Sequence, residues 1–481
     1  MDWGSRITYL ASTAYKDRTT PFGIKDKDRM QHLCVMGRVG SGRAQLLARM
    51  ALQDIERGIG ILAIDVAGNL TPLIMERLSE DAQRRVIHLD PSDAEYPFSW
   101  NIVDDFKGSA VGRERFLEVL ASVYRTKRND LTDFVGKYIL NSPMGTVLDL
   151  FTIVTDETVR GEMYKPESEE AEELTTLLDE NQDTVATIAE HGRYLAKDTM
   201  VRNLLGQLEG KFSLSALADG AIIILDVSRI RIFPTRITPI VRLFTYAARA
   251  AATHHDRPVA LFLHDCLRYF TESDAEQVFN DRTIALTLSD TIYHEGDTPL
   301  REKSLARCGS VITFQPHPLD VSLVEHSLYP YVSPEELSTL EDGEACVALT
   351  IDAVRTQPFF ARALELPERA NISLQDMFVE SRQKYTTTRL KVDESFRKRV
   401  MKELPPPDAP PGGGSSFSDA FRSIFANATK PAVGPDGVPN VPPAPPAQAP
   451  PMPYMPKEES TEKDVSEEDL RQMLYVGPIP A

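Results

Sequence analysis

The sequence predicts an α/β protein with a mostly parallel β-sheet, a helical segment inserted into it, and a disordered Pro-rich C-terminal tail. Short apolar runs alternate with helical patterns before and after residues 110–210, as in sheets that are covered by helices on both faces. Residues 110–210 show helical patterns with acidic connectors and no strong strand. Of the 34 prolines, 18 fall at or after Pro405, and such a segment cannot bury enough apolar surface to become ordered.

The first elements are a strand, a glycine loop and a helix. An apolar run at residues 32–37 precedes the glycines, and an apolar stripe with helical spacing then runs from Ala44 to Ile55. A second buried run, Ile59–Val66, follows within one helix length, so we expect the two strands to be neighbours joined by a right-handed crossover. With a third strand at residues 85–89, these elements form the first part of the core, residues 1–109.

The second part of the core is residues 211–366. It contains four buried runs separated by helical patterns, at residues 221–227, 259–263, 285–288 and 310–314. Two runs with polar alternation, residues 345–351 and 355–364, are expected to pair as terminal strands.

A C-terminal helix, residues 367–403, precedes the tail, residues 404–481. Two short amphipathic segments of the tail, at residues 418–425 and 466–474, have a helical pattern. They are either transient helices or peptide motifs that dock on another subunit.

Composition and charge restrict the functional classes to which the protein can belong. The formal net charge of −18 excludes a protein that binds nucleic-acid phosphates over most of its surface, because affinity for phosphates depends on Lys and Arg. Any DNA-binding surface is expected to be local. The four cysteines lack CxxC spacing and are expected to be buried thiols rather than metal ligands. The sequence contains neither a long apolar run nor a signal-peptide pattern. We therefore expect a cytoplasmic protein with no transmembrane segment, or a protein bound peripherally at the inner face of the membrane.

The glycine loop has the spacing of a phosphate-binding loop but lacks two of its functional side chains. In such a loop, Gly-x-x-x-x-Gly-Lys-Ser/Thr wraps N–H groups around phosphates, the Lys reaches the β and γ oxygens, and the hydroxyl binds magnesium. Here Arg43 replaces the Lys, and Ala44 offers no hydroxyl. The candidate nucleotide-binding residues are Gly37, Gly40, Ser41, Gly42, Arg43, Ala44 and Asp65. For Asp65 and Asn69, the alternative to lining the nucleotide cleft is that one of them caps a helix.

In order and spacing, several stretches resemble the coupling ATPases of type IV secretion and conjugation, the TraD/TraG-like proteins of the HerA/FtsK-like P-loop superfamily. They are residues 22–25, Ile64-Asp65 with Gly68, Asp90-Pro91-Ser92 leading to Trp100-Asn101, residues 201–207 with Phe212 and residues 221–225, and residues 332–337. The resemblance covers residues 5–366. It implies a RecA-like core with an inserted helical domain, often assembled as a ring hexamer, that moves DNA by hydrolysing ATP.

This chain departs from that family pattern at the residues that would bind magnesium and activate water. The family's Walker B strand ends in Asp-Glu, where the Asp arranges the magnesium shell and the Glu orients the attacking water. The matching strand here ends in His264-Asp265, the candidate catalytic pair, and a neutral imidazole is a poor ligand for magnesium. The family also has a Gln at the end of its next strand, whereas residues 284–290 contain none. We therefore expect a degenerate member, with ATP as a candidate cofactor and no metal site.

Three functions stay open from the sequence. The first is a hydrolysis-impaired structural or regulatory subunit of a DNA-transfer or secretion assembly, with related ATPase subunits, in a homo- or hetero-oligomer, as partners. The second is an active ATP-driven DNA translocase. The third is a non-enzymatic scaffold that acts through the Pro-rich tail, which would recruit a secretion or membrane complex.

Overall fold

A computed structural model describes residues 3–15, 18–165, 167–253, 258–290 and 298–402. The chain divides after residue 418 into two units. The predicted disordered tail, residues 404–481, and its two predicted helical motifs lie outside the described residues. The account below concerns the first unit.

Eleven strands form one sheet, and two short strands form a separate hairpin. The strands are β1 (Ile7–Tyr15), β2 (Arg18–Lys25), β3 (Leu33–Met36), β4 (Ile61–Asp65), β5 (Val86–Leu89), β6 (Ile222–Asp226), β7 (Val259–His264), β8 (Ile284–Asp290), β9 (Ser310–Phe314), β10 (Glu344–Ala348), β11 (Thr350–Ile351), β12 (Val354–Arg355) and β13 (Phe359–Ala363). The order in the large sheet is β2-β1-β13-β10-β9-β3-β8-β7-β4-β6-β5.

The sheet is mixed but mostly parallel, as the sequence predicts. From β9 to β5 all neighbouring strands are parallel, whereas β1, β2, β10 and β13 pair antiparallel. Parallel strands buried on both faces read as continuous apolar runs, and β4 and β7 are buried at every position. The predicted pairing of the two late strands with polar alternation is confirmed by the β10–β13 ladder.

One predicted strand pairing is wrong. We expected β3 and β4 to be neighbours, but β8 and β7 lie between them. The helix that joins β3 to β4, α2, returns along the strands rather than across them, so its 14 residues do not set which strands become neighbours. The two inserted strands come later in the chain, so the local β3–α2–β4 pattern carries no signal for them.

Helices cover the sheet and fill the segment between its two parts. They are α1 (Asp26–Arg29), α2 (Arg43–Glu56), α3 (Leu70–Met75), α4 (Glu80–Gln83), α5 (Ala110–Val123), α6 (Asp130–Asn141), α7 (Asp149–Thr155), α8 (Glu157–Met163), α9 (Glu169–Glu180), α10 (Gln182–Lys197), α11 (Thr199–Leu205), α12 (Pro234–Ala251), α13 (Glu272–Asn280), α14 (Thr298–Arg307), α15 (Val321–Leu328), α16 (Pro334–Ser338), α17 (Leu374–Tyr385) and α18 (Arg389–Lys402). Capping boxes at Asn129, Thr271 and Ser333 fix the starts of α6, α13 and α16 by satisfying N–H groups that lack an intrahelical partner.

Between residues 110 and 205, the described part of the chain is helical, from α5 to α11. The C-terminal region differs from the single helix predicted at residues 367–403, since α17 and α18 are separate. The residues between them bond to an extended segment instead: Ser99 N–H donates to Tyr385 O at 2.8 Å, and Thr387 N–H donates to Pro97 O at 3.0 Å. These backbone bonds interrupt the helix and attach it to the loop after β5.

The main core lies between the sheet and the helices on one face, with α2 at its centre. Leu47, Ala48 and Met50 of α2 are fully buried against strands such as β4 and β7. Cys34, Cys266, Cys308 and Cys346 are buried free thiols, which confirms that prediction. No helix in the described ranges is long and apolar enough to cross a membrane.

Candidate functional site

The parallel register brings the ends of four strands to one edge of the sheet. Met36 of β3 lies beside Asp290 of β8, and His264 of β7 lies between Ser289 of β8 and Asp65 of β4. Ligands of open α/β sheets bind beyond the carboxyl ends of the strands. The glycine loop, Asp65 and the His264-Asp265 pair therefore belong to one candidate site.

The glycine loop, residues 37–42, is a tight connection that requires its glycines. Gly37, Gly40 and Gly42 have φ values of 152°, 86° and 121°, which side chains rarely adopt. A Cβ on Gly42 would lie 2.9 Å from the Phe314 ring, whereas a Cβ on Gly40 meets nothing within 4 Å. One side of the loop is thus packed against β9, and its tip is open.

Hydrogen bonds hold the loop from both sides. Ser41, which is fully buried, donates its hydroxyl to Arg38 O at 2.8 Å. Arg38 N–H donates to Gln315 O at 2.8 Å, and Gly343 N–H donates to Ser41 O at 2.9 Å. The loop is therefore fixed by the ends of β9 and by the turn before β10.

The loop leads directly into α2 and fits an anion. Gly42 occupies the N-cap position and supplies no side-chain cap, so the first N–H groups of the helix lack a partner within the helix. These groups and the helix dipole favour a negative group such as a phosphate. Ala44, in the first turn, offers no hydroxyl and is itself buried.

Arg43, in place of the usual Lys, is directed away from the loop tip and into a buried ion pair. Its Nη1 donates to Asp265 Oδ1 at 2.9 Å and to Ser289 Oγ at 2.6 Å. The side chains of Arg43 and Asp265 are only 4% and 7% exposed. Two predicted site residues that are far apart in sequence thus neutralise each other.

Asp265 is held in this position by its backbone. Its φ is 57°, a left-handed conformation that Asp tolerates better than most residues, and its N–H donates to Ser289 O at 2.8 Å. The chain therefore turns at the end of β7, and the Asp265 carboxylate lies beneath the glycine loop. Ser289 supplies both a backbone and a side-chain contact.

His264 does not join the ion pair of Asp265, the next residue in the sequence, and contacts Asn69 instead. Its Nε2 lies 2.7 Å from Asn69 Oδ1, and the ring is fully buried. Burial lowers the pKa of His264, and the positive charge of Arg43 contributes in the same direction. The imidazole is therefore neutral near pH 7 and bound to the loop that precedes α3.

Asp65 accepts four hydrogen bonds from the start of α3. The donors are the N–H groups of Gly68, Leu70 and Thr71 and the Thr71 hydroxyl, at 2.8 to 2.9 Å. Burial raises the pKa of Asp65, while the nearby imidazole and these hydrogen bonds act to lower it. Its carboxylate thus caps a helix, which was the alternative role expected from the sequence.

The described residues do not fit a magnesium ion at this edge. Magnesium requires oxygen ligands in octahedral geometry, but Asp265 is paired with Arg43, Asp65 is saturated by donors, and Ala44 has no oxygen. No group of three or more His, Cys, Asp and Glu side chains in the described ranges could hold a metal ion. The arrangement fits a phosphate group and not its metal.

Two residues of the site were missed from the sequence. Gln315 follows β9, and its Oε1 accepts from Arg38 Nε at 2.5 Å, so a Gln does lie beside the glycine loop, on the opposite flank from residues 284–290. Ser289 was missed because it belongs to no recognisable motif. The available signal was the polar Thr287, Ser289 and Asp290 in an otherwise apolar run.

Comparison with known proteins was informative only at the level of structure. No protein-family model matches the sequence, and no curated protein is significantly similar to it. The plasmid coupling protein TrwB in complex with a non-hydrolysable ATP analogue matches over 77% of this chain and 96% of that chain, with a TM-score of 0.53 and 14% identity. The chain has the fold of a conjugative coupling protein. A second match is the unbound monoclinic form of the bacterial conjugative coupling protein TrwBΔN70, with a TM-score of 0.51 and 14% identity, over 76% of this chain and 90% of that one.

This result confirms the predicted fold class and the resemblance to the coupling ATPases. The large sheet, the glycine loop after β3 and the flanking helices form an α/β P-loop ATPase-type fold. At 14% identity the match concerns the fold alone. The roles of the glycine-loop residues, Asp65, His264 and Asp265 stay predictions.

Proposed function

We propose that this protein is a non-hydrolysing P-loop subunit with a structural or regulatory role in a conjugative DNA-transfer or secretion assembly. The observation that carries the proposal is the buried Arg43–Asp265 ion pair under the glycine loop, with Ser289 as a third partner. The coupling-protein fold supports the setting. We propose related ATPase subunits as its partners and the cytoplasmic face of a membrane-embedded channel as its location.

The ion pair opposes hydrolysis in two ways. A P-loop cation stabilises the charge that develops on the transferred phosphoryl group, but the charge of Arg43 is neutralised by Asp265 at 2.9 Å. A Walker B acid must be available to the metal shell or the attacking water, and Asp265 is committed to Arg43. Breaking a buried pair leaves an uncompensated charge, at a cost of about 3–5 kcal/mol, so the side chains are not readily released.

The remaining parts of the loop still support binding. The N–H groups at the start of α2 are directed at the loop tip, and Gly40 leaves space there. We propose that a nucleotide binds through its phosphates without a metal and acts as a ligand rather than as a substrate.

A titration tests this directly. The full chain is titrated with ATP by calorimetry with and without magnesium, and phosphate release is measured in the presence and absence of DNA. We expect the same affinity in both buffers and no turnover above background. Turnover that is lost in Arg43→Ala would overturn the proposal and support an active translocase. An affinity that depends on magnesium would also contradict it.

A further inference from the structure

The sequence contains two long segments of opposite charge. Residues 167–192 include nine carboxylates and no Lys or Arg, whereas residues 227–253 include five arginines and no Asp or Glu. Two of the five arginines, Arg242 and Arg249, are buried in ion pairs. Arg229 and Arg231 lie in the connection between β6 and α12, and Arg236 lies in the first turn of α12.

This basic loop, residues 228–236, combines arginines with exposed apolar side chains. Ile232 is 73% exposed and Phe233 is 43% exposed. The Arg229 side chain is 70% exposed, Arg231 is exposed, and Arg236 lies 4.6 Å from the centroid of the Phe233 ring. Aromatic and Arg side chains of this kind are enriched in protein–protein interfaces.

The acidic helix α9 has the opposite character. All six of its carboxylates are exposed, and Leu174 is its one buried residue. Glu173, Leu177 and Glu180 are spaced i, i+4 and i+7, so they share one face, and Leu177 is half-buried. This face thus offers an apolar side chain between two carboxylates, which complements an apolar tip between arginines.

Within one chain the two surfaces are not paired with each other. Arg229 pairs with Asp90 at 3.0 Å, and Arg236 pairs with Asp198 at 2.6 Å. Arg231 donates to Ala67 O at 3.5 Å. In the described part of the chain, the carboxylates of α9 form no ion pair.

We propose that the basic loop of one copy docks on the acidic helix α9 of a second copy of this chain. A second copy fits because α9 carries exposed carboxylates on either side of an apolar side chain, which complements the charge and the exposed apolar side chains of the basic loop. The two surfaces differ, so the contact is head-to-tail, and a pair of copies keeps one free surface of each kind. The contact is small and charged, and it is therefore weak and sensitive to salt.

Charge reversal on the full chain tests the contact. One variant carries Arg229→Glu and Arg231→Glu, and the other carries Glu173→Lys and Glu180→Lys. We expect wild type to self-associate in sedimentation velocity at about 50 mM salt and much less at about 500 mM. Each variant should raise the dissociation constant at least about tenfold. An equimolar mixture of the two variants should associate again, because each restores the complementary surface that the other lacks.

Matched controls separate this contact from general charge effects and from misfolding. Arg113→Glu and Glu380→Lys reverse exposed charges elsewhere and should leave self-association unchanged, and circular dichroism checks the fold of every variant. Wild type that is monomeric at low salt, or a mixture that stays dissociated, would overturn the proposal. So would loop variants that lose binding to a single-stranded oligonucleotide or to anionic vesicles while self-association persists. The inference does not rest on the nucleotide site, so the two proposals fail separately.

Discussion

At the scale of single residues, two ion pairs of the glycine-loop region have nearly the same N–O distance but differ in how deeply they are buried. Arg43–Asp265 and Arg38–Asp342 have N–O distances of 2.9 and 2.7 Å. The side chains of the first pair are 4% and 7% exposed, and those of the second are 42% and 65% exposed. An exposed pair is worth about 0–1 kcal/mol because water screens it, whereas a buried charge that loses its partner is costly.

We expect Asp265→Asn to lower the free energy of unfolding by about 3–5 kcal/mol, because Arg43 is left buried and unpaired. Asn tolerates the left-handed backbone at this position, so the change isolates the charge. Urea denaturation measures the effect, and Asp342→Asn is the exposed control, with an expected loss below about 1 kcal/mol. Arg43→Met combined with Asp265→Asn should recover most of the loss. Equal effects of the two single variants would show that burial does not matter here.

His32 gives a prediction for the pH dependence of stability. Burial, together with the charge of Arg282, lowers the pKa of His32 from 6.5 to about 4. The folded chain therefore binds a proton less readily than the unfolded chain, so the contribution is fully present above pH 6.5 and is lost as the pH falls toward 4. We expect the difference in unfolding free energy between wild type and His32→Asn to change by about 3 kcal/mol between pH 7 and pH 4. A difference that is independent of pH would contradict this.

At the scale of elements, the junction between β3 and α2 determines the shape of the candidate site. All three of its glycines have positive φ values, but of Gly40 and Gly42 only Gly42 is also close to the Phe314 ring. A methyl group added at Gly40 would cause backbone strain alone. A methyl group added at Gly42 would cause the same kind of strain and would also overlap with an aromatic side chain of β9.

We therefore expect Gly42→Ala to destabilise the fold by about 2–5 kcal/mol, from strain and overpacking together. Gly40→Ala, the matched control, should cost about 1–2 kcal/mol from the left-handed backbone alone. Chemical denaturation of both variants tests the ranking. Its reversal would mean that the loop does not pack against Phe314.

At the scale of the whole molecule, the C-terminal helices close the β5 edge of the sheet. The Phe378 ring lies 4.4 Å from the His88 ring of β5, and His88 N–H donates to Ser381 Oγ at 3.1 Å. Met377 belongs to the main core. An open strand edge is a template for unwanted pairing, so α17 protects the sheet as well as stabilising it.

We expect Met377→Ser to lower the free energy of unfolding by about 2–4 kcal/mol, because it leaves a cavity in the core. The control, Leu390→Ser, changes an apolar residue of α18 that is 80% exposed and should cost less than about 0.5 kcal/mol. Light scattering during denaturation should show earlier aggregation for Met377→Ser. If both variants match wild type, α17 does not stabilise the sheet.

The sequence by itself determined the buried strands from β3 to β9 and the glycine loop, because continuous apolar runs and glycine spacing are local properties of the chain. It also showed that Arg43 and Ala44 follow this loop where a phosphate-binding loop has Lys and Ser/Thr, but it did not predict β1 and β2. Only the tertiary structure decided that β8 and β7 separate β3 from β4, since strand order depends on pairing between segments that are far apart in the chain. It also decided that Arg43 pairs with Asp265 and Ser289 and that Gln315 lies beside the loop, because partners more than 200 residues apart meet only when the parallel register aligns the ends of their strands.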